Sequence, residues 1–183
     1  QAPAPSTIGE IASAMNLPRS VVQRLVATLE AEGLIQRDQP AGGYGLSIKL
    51  WKLGCAAVRS LDLVAIAKPV LHDLASRTTE SVKLSVLSKD QVITLDCMMS
   101  ERTVRAYVPV GGHVPATVSA TGRAILAYTS LETLAQKLGG RARATALISS
   151  IADELDSVRK KGYALNSGEI DPDTVAVAAP LIE

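Results

Sequence analysis

Apolar positions near the start of the chain recur at helical spacing. Ile8, Ile11 and Met15 predict a short amphipathic helix, and Thr7 and Glu10 are spaced to begin it with a capping box. In such a box the threonine hydroxyl accepts a first-turn N–H, and the glutamate reaches back to the threonine amide. The pattern therefore predicts both the helix and the residue at which it begins.

A second helix is predicted over residues 18–32, where apolar side chains recur at positions 22, 25, 26 and 29. Pro18 suits the first position of this helix, and Gly33 suits its end, where a left-handed residue is preferred. The three residues Asn16-Leu17-Pro18 separate it from the first helix. This arrangement is typical of a helix-turn-helix.

Two short strand-like segments follow, over residues 34–37 and 44–47, with turn residues at 38–43 between them. Two helices followed by a hairpin indicate a winged helix-turn-helix. Residues 1–6 contain two prolines and no apolar period, so they predict a loose lead-in.

Helical spacing returns over residues 46–60 and 61–78. The first segment predicts a connecting helix whose apolar side chains cover more than one side. That apolar surface is interpreted equally well as a contact with a second subunit or as packing on the winged domain itself. In the second helix, Pro69 is expected to cause a kink or a restart.

Beyond residue 80 the apolar period changes to two and then alternates with helical segments. We expect strands at 82–87, 92–95 and 104–110, helices at 119–128, 131–138 and 148–161, and strands at 163–165 and 175–181. This mixture predicts an α+β or α/β sensor-type domain. The predicted organisation is a winged helix-turn-helix at residues 1–47, a linker helix at 48–60 and a second domain at 61–183.

Composition and net charge exclude several classes of protein. The 183-residue chain has a net charge of +1, which excludes a polybasic coat for nucleic acid. Residues 1–60 carry six Lys and Arg against four Asp and Glu, whereas residues 61–183 carry 13 against 14. No apolar run approaches the roughly 18 residues of a membrane span, so no membrane partner is expected. Two cysteines are too few for a disulfide framework, which favours a reducing cytoplasm.

The predicted second helix carries the chemistry of DNA recognition. The first residues of a recognition helix face base edges in the major groove, where Arg pairs with guanine, Gln with adenine and a Val methyl with thymine. The hairpin tip would reach phosphates. The alternative is a solvated helix face. The predicted DNA-binding residues are Arg19, Ser20, Val21, Gln23, Arg24, Arg37 and Gly43.

Four segments in order resemble the IclR (isocitrate-lyase regulator) family of bacterial transcription factors. Residues 17–30, LPRSVVQRLVATLE, resemble its recognition helix, and residues 43–54 resemble its wing and linker start. Residues 114–127, VPATVSATGRAILA, resemble its P-L-H-A-T-A-L-G-K-A-L-L-A stretch, and residues 159–164 with 178–180 resemble its last recognisable segment.

The resemblance implies a winged helix-turn-helix, a linker helix and a GAF-like effector-binding domain. It also implies a homodimer or a homotetramer built as a dimer of dimers. Relative to the family, we expect a helix before residue 7 and a strand and helix after residue 183 to be missing. Residues 139–147 are expected to be short.

A candidate effector site combines a helix start with this resemblance. Residues 119–122 open a helix whose free N–H groups and positive dipole end favour an anion. The resemblance places this segment on the family's pocket, beside residues 166–176. The effector-site candidates that it implies are Ser119, Ala120, Thr121, Asn166, Thr174 and Ala176.

The hypothesised effector is a small organic acid whose carboxylate lies at the helix start. The alternative is a helix that Ser119 simply caps. Ile170 and Ala176 stand where His and Cys are common in the family, so no metal site is expected.

The sequence offers few candidate catalytic residues. His72 and His113 have no partner at the sequence level, and Cys97 lies in an apolar strand, where an inert thiol is the simpler interpretation. Residues 42–45 match neither the dinucleotide-binding nor the P-loop pattern, and residues 169–173 lack the ligands of a calcium loop. We therefore expect no enzyme and no cofactor.

The predicted function is a ligand-responsive transcriptional regulator that binds a double-stranded DNA operator. Its small-molecule effector would alter operator binding by the dimer or tetramer. One alternative is a small-molecule sensor module without specific DNA binding. A weaker one is an enzyme fused to a winged helix.

Overall fold

The computed structural model describes residues 5–38, 42–59, 62–103, 105–107 and 109–182. The chain forms two compact units, Gln1–Leu61 and Asp62–Glu183. Several predictions lie outside the described residues: the lead-in at 1–4, the turn at 39–41, the helix positions 60 and 61, and positions 104 and 108 of the expected third strand.

The N-terminal unit has the order helix, helix, hairpin, helix. Its elements are α1 (Ile8–Met15), α2 (Arg19–Ala31), β1 (Ile35–Arg37), β2 (Tyr44–Leu46) and α3 (Ile48–Arg59). The two strands pair antiparallel, and Ser6 adds an isolated bridge to Tyr44 on the outer side of β2. The predicted winged helix-turn-helix is therefore confirmed.

Local chemistry sets the ends of these helices. The Glu10 N–H donates to Thr7 Oγ1 at 3.3 Å, and the Thr7 N–H donates to Glu10 Oε2 at 2.7 Å, which completes the capping box. Gly33, just after α2, has a φ of +64° that favours glycine. Pro18 precedes α2 as its N-cap, one position before the expected site.

A small apolar core holds α1 against α2. Val22 and Val26 are buried on one side of α2 and meet Ala12 of α1. Partly buried side chains, including Ile35 of β1, pack around them. The opposite side of α2 is left free for other contacts.

The start of α3 is tied to the end of α2. The Ser47 hydroxyl donates to the Gly33 carbonyl, and the Lys49 ammonium donates to the Glu32 carbonyl. Further along, Ile48 and Trp51 remain largely exposed, Trp51 at 67%. The winged unit therefore does not bury these two side chains.

The C-terminal unit mixes helices with two small antiparallel sheets. Its elements are α4 (Asp62–Thr78), β3 (Val82–Ser88), β4 (Gln91–Met98), β5 (His113–Pro115), α5 (Ala120–Tyr128), α6 (Leu131–Leu138), α7 (Arg141–Ser149), α8 (Ala152–Lys161), β6 (Ala164–Ser167) and β7 (Val175–Ala178). One sheet has the order β3-β4-β5 and the other pairs β6 with β7.

The small side chains of α5 place that helix inside the main core. Ala120, Ala124 and Ala127 are buried, and Gly122 lies directly against the backbone of Ala116. Leu155 of α8 belongs to the same fully buried cluster. Because alanine and glycine let backbones approach closely, the start of α5 is fixed at a central position.

The prediction of a third strand at 104–110 is wrong for the residues described there. Residues 105–107 and 109–110 form no strand, and the third strand is β5, which pairs with residues 91–93 of β4. Pro109 has no N–H to donate to a strand partner, and Tyr107 is exposed. Apolar alternation alone therefore misled the prediction.

Two helix predictions also need correction. Residues 141–149 form α7, where no helix was expected, and the predicted helix at 148–161 is α8, which begins at Ala152. The sequence of α7 is alanine-rich and only Ala144 is buried, so it lacks an apolar stripe. Helix α4 continues through Pro69 without a restart, and Pro69 is exposed, so water can satisfy the carbonyl group that it leaves without a partner.

Within the described ranges, no helix combines the length and the apolar character that crossing a membrane requires.

Candidate DNA-binding surface and effector site

The predicted base-reading residues of α2 are mostly exposed. Arg19, Ser20, Gln23 and Arg24 are exposed, while Val21 is partly buried. The buried Val22 and Val26 face the core of the winged unit. Helical periodicity places Ser20 and Arg24 on the side of α2 opposite these valines, whereas Arg19, three residues before Val22, lies on the same side as they do.

Three of these predicted residues meet at one open cleft. Arg19, Gln23 and Arg37 line it together with residues from α1 and the wing, namely Thr7, Ile8, Gly9, Gly42 and Tyr44. The Arg37 guanidinium lies 5.6 Å from the centre of the Tyr44 ring, a cation–π distance. Ser20, Val21 and Arg24 are not part of the cleft lining.

Sequence reasoning missed Gly9 as a residue of this surface. Arg19 Nη2 lies 2.5 Å from the position that a Cβ on Gly9 would occupy, so the guanidinium rests on the bare backbone of α1. The only sign of this role in the sequence was a glycine inside a short helix, at a position where the capping box does not require one.

Gly43 occupies a different place from the one predicted. It is buried, and a Cβ there would lie 2.9 Å from the backbone carbon of Pro5. The close approach that its missing side chain permits is to the chain's own N-terminal segment, which pairs with β2 through Ser6. Its proposed phosphate contact therefore remains a prediction that this packing does not favour.

At the predicted effector site, Ser119 caps α5. The Gly122 N–H donates to Ser119 Oγ at 3.0 Å, and only 2% of Ser119 is exposed. Ala120 is equally buried, while Thr121 is partly exposed. The capping that formed the alternative interpretation is thus present, and the hydroxyl is already used as an acceptor.

Asn166 joins the second sheet to the start of α5. Its Nδ2 donates to the Val118 carbonyl, and its Oδ1 accepts the Glu169 N–H at 3.3 Å. Asn166 is 4% exposed and stands opposite Ala176 across the β6–β7 pair. The structure therefore brings these two candidates together beside Ser119.

Thr174 belongs to the turn between β6 and β7. Its hydroxyl donates to Asp171 Oδ2 at 3.1 Å, and its N–H donates to the Asp171 carbonyl at 2.9 Å. Both bonds stabilise the turn itself.

An ion pair that the sequence did not predict links α5 to the turn between β6 and β7. Arg123 donates from Nη1 to Glu169 Oε1 at 2.8 Å and from Nη2 to Oε2, and its Nε donates to the Thr117 carbonyl at 2.8 Å. The Arg123 side chain is 11% exposed and that of Glu169 is 41% exposed. Hydrogen bonding from Arg123 lowers the pKa of Glu169. No sequence pattern pairs residues 46 positions apart.

The Cys97 thiol and the Lys83 ammonium lie in surroundings that do not favour their charged forms. Burial raises the pKa of the Cys97 thiol and lowers the pKa of Lys83, which stands opposite it across the β3–β4 pair. Both changes disfavour the charged form. Among the residues that the structure describes, no three His, Cys, Asp or Glu side chains gather in a way that could hold a metal ion.

Comparison with known families gives two matches. The C-terminal family model described as "Bacterial transcriptional regulator IclR C-terminal" matches residues 55–183, and the IclR helix-turn-helix domain model matches residues 1–39. Together they account for most of the chain.

Curated relatives agree. The chain is 36% identical over 167 residues to the HTH-type transcriptional regulator TtgV of Pseudomonas putida, covering 89% of this chain and 64% of TtgV. It is 29% identical over 168 residues to the transcriptional repressor IclR of Escherichia coli, covering 87% of this chain and 61% of that protein. The chain thus spans less than two thirds of either relative.

Solved structures share the fold. An IclR family transcriptional regulator from Brucella abortus superposes with a TM-score of 0.78 at 27% identity, covering 98% of this chain and 70% of that one. An IclR homolog from Microbacterium hydrocarbonoxydans, solved with 4-hydroxybenzoate, gives a TM-score of 0.72 at 24% identity, covering 98% and 76%.

Proposed function

The chain belongs to the IclR family of bacterial transcriptional regulators, and on that basis we propose that it is a ligand-responsive regulator of a DNA operator. Its winged helix-turn-helix would bind double-stranded DNA in the cytoplasm. A small organic acid would bind the C-terminal unit and alter operator binding by a homodimer or homotetramer.

One observation carries the DNA-binding part. Helix α2 exposes Ser20, Gln23 and Arg24, and Ser20 and Arg24 lie on the side opposite its buried valines. These side chains can make the bidentate and hydroxyl contacts that read base edges. The small net charge of the chain suits a protein that reads a particular site through a few arginines, rather than one that coats DNA.

The C-terminal unit supports the effector part. Asn166 and the Arg123–Glu169 pair join the start of α5 to the β6–β7 hairpin, while Ser119 caps that helix. A ligand that bound here would act on two elements at once. The acidic effector is favoured because the positive dipole end and the N–H groups of a helix start attract a carboxylate.

The oligomer is supported by α3. Ile48 and Trp51 leave apolar surface that the winged unit does not cover. Such surface suits contact with a second copy of the chain.

The DNA-binding proposal is tested by selecting bound duplexes from a random pool and measuring affinities at fixed salt. Arg24→Ala should weaken binding to the selected duplex by ~1–3 kcal/mol, the contribution of one bidentate base contact. Arg143→Ala removes one exposed arginine from α7 and serves as the charge-matched control. Unchanged affinity for Arg24→Ala would contradict the assignment of that residue. A wild-type chain that selects no sequence would favour a sensor module without specific DNA binding.

The effector proposal is tested by thermal unfolding across a panel of mono- and dicarboxylates that includes 4-hydroxybenzoate. A ligand at 100 times its Kd adds about 2.7 kcal/mol of stability, which a melting experiment resolves. The uncharged amide of each acid is the control. If no carboxylate shifts the melting temperature, the organic-acid hypothesis is wrong.

A further inference from the structure

We propose that the cleft between α1, α2 and the wing binds a phosphate of the DNA backbone, and that Arg19 contacts this phosphate instead of a base edge. The inference rests on the proposed DNA-binding function and assigns different roles to Arg19 and Arg24. Arg19 would supply affinity for any duplex, while Arg24 would supply sequence preference.

The lining of the cleft is cationic and rich in donors. Arg19 and Arg37 contribute guanidinium groups, Gln23 an amide and Thr7 a hydroxyl, and no carboxylate belongs to the lining. The nearby acid Glu10 is engaged in the capping box by the N–H and the hydroxyl of Thr7. Two guanidinium groups without an acid in the same open cleft suit an anion.

Neither arginine is neutralised by a carboxylate of the described residues. Across the described residues, Arg19 and Arg37 form no salt bridge, whereas Arg77, Arg102, Arg123 and Arg159 each pair with a carboxylate. Arg37 lies over the ring of Tyr44, and that contact leaves its N–H groups free to donate at the edges of the guanidinium plane. The positive charge of the cleft is therefore available to a partner outside the chain.

The missing side chain of Gly9 leaves room for the Arg19 guanidinium. The Arg19 atoms Nη2, Cζ and Nε lie 2.5, 3.4 and 3.6 Å from the position of a Cβ at residue 9. The guanidinium therefore folds back from α2 across the first turn of α1. In a helix-turn-helix the first helix crosses the DNA backbone while the second enters the groove. A guanidinium on α1 thus stands where phosphates pass.

The backbone of Gly9 does not need glycine. Gly9 is absent from the positive-φ residues, and within a helix glycine is less favourable than alanine. The steric room for Arg19 gives this position a physical reason to be glycine. Alanine here would leave the helix intact and move the guanidinium.

The first experiment measures binding of the full chain to an arbitrary 25-base-pair duplex by fluorescence anisotropy over a series of salt concentrations. Losing one phosphate contact lowers the slope of log K against log salt by ~0.9. For Arg19→Ala, the affinity ratio of wild type to variant should therefore shrink about threefold between 50 and 200 mM salt. Arg143→Ala, which removes an arginine from the other unit, should leave the slope unchanged.

The same variants are then measured on the duplex selected from a random pool. Arg19→Ala should weaken binding to the arbitrary and the selected duplex by the same factor, whereas Arg24→Ala should weaken the selected duplex more. If Arg19→Ala affects the selected duplex alone and leaves the salt slope intact, Arg19 reads a base and the proposal is overturned.

Gly9→Ala tests the geometry without removing charge. Its melting temperature should equal or exceed that of the wild type, while its affinity for both duplexes should fall. Unchanged affinity in a folded Gly9→Ala protein would overturn the placement of Arg19. A wild-type chain that binds neither duplex would overturn the proposed function as well, so the two failures are distinguishable.

Discussion

Gly122 permits the tightest backbone contact in the C-terminal unit that we can test by a single substitution. A Cβ at this position would lie 2.1 Å from the Ala116 carbonyl oxygen, 2.4 Å from its Cα and 2.6 Å from its carbonyl carbon. Ala116 is fully buried, and its N–H donates to the Asp90 carbonyl at 2.9 Å. The backbone of Ala116 therefore has little freedom to move away from a methyl group.

The expected cost of Gly122→Ala follows from two opposed effects. Overpacking a well-packed core costs typically 1–3 kcal/mol, and a clash with three backbone atoms belongs at the upper end of that range. Replacing glycine by alanine inside a helix returns about 0.5–1 kcal/mol. We expect a net loss of about 2 kcal/mol, which for a unit of this size lowers the melting temperature by roughly 8 °C.

Calorimetry and circular dichroism would measure this loss. Trp51 is the single tryptophan of the chain and lies in the N-terminal unit, so its fluorescence follows that unit separately. The matched control is Gly54→Ala within α3, where a Cβ meets nothing within 4 Å and the helix should gain stability. If Gly122→Ala melts at or above the wild-type temperature, the Ala116 backbone can yield and the steric argument is refuted.

Three further predictions concern the start of α5. Ser119→Ala should lower the free energy of unfolding by ~1 kcal/mol, because the helix loses its cap; urea unfolding measures this, and an unchanged midpoint and slope would contradict it. Asn166→Ala should cost about 2 kcal/mol by the same assay, because the Asn166 side chain loses two hydrogen bonds, to the Val118 carbonyl and from the Glu169 N–H; a neutral result would show that other groups replace them. Glu169→Gln should cost about 1 kcal/mol at pH 7. Arg123 lowers the pKa of Glu169, so the stability that the ion pair contributes is complete above the ordinary pKa of 4.5 and is lost as pH falls through the lowered pKa. The stabilities of the wild type and the variant should therefore converge in acid. A difference that persists in acid would contradict the ion-pair explanation.

Local rules predicted most of the N-terminal unit. The Thr7 capping box, the positive φ at Gly33 and the apolar stripe of α2 each depend on residues within a few positions of one another. Such patterns are visible in sequence because the interacting groups are neighbours along the chain.

The C-terminal unit was harder because its contacts are long-range. Strand β5 is only three residues long, and its pairing with β4 decides its position more than its own apolar pattern does. Helix α7 relies on alanines that give no clear stripe. The Arg123–Glu169 pair forms only because α5 and the β6–β7 turn meet in the fold. Ser119 and Asn166 were predicted as effector-site residues from the family resemblance, and that role stays a prediction, whereas the Arg123–Glu169 pair is visible only in the structure.

The hydrogen bonds from Ser47 and Lys49 anchor the near end of α3 to Glu32 and Gly33, so α3 can tilt only about this point. A helix of 12 residues is about 18 Å long, so tilting it by about 10° moves its far end by roughly 3 Å. Because the near end of α3 is bonded to the end of α2, α2 must rotate with α3 or those bonds must break. A displacement of a few ångströms at the far end of α3 is therefore converted into a rotation of α2, the helix that we propose reads base edges.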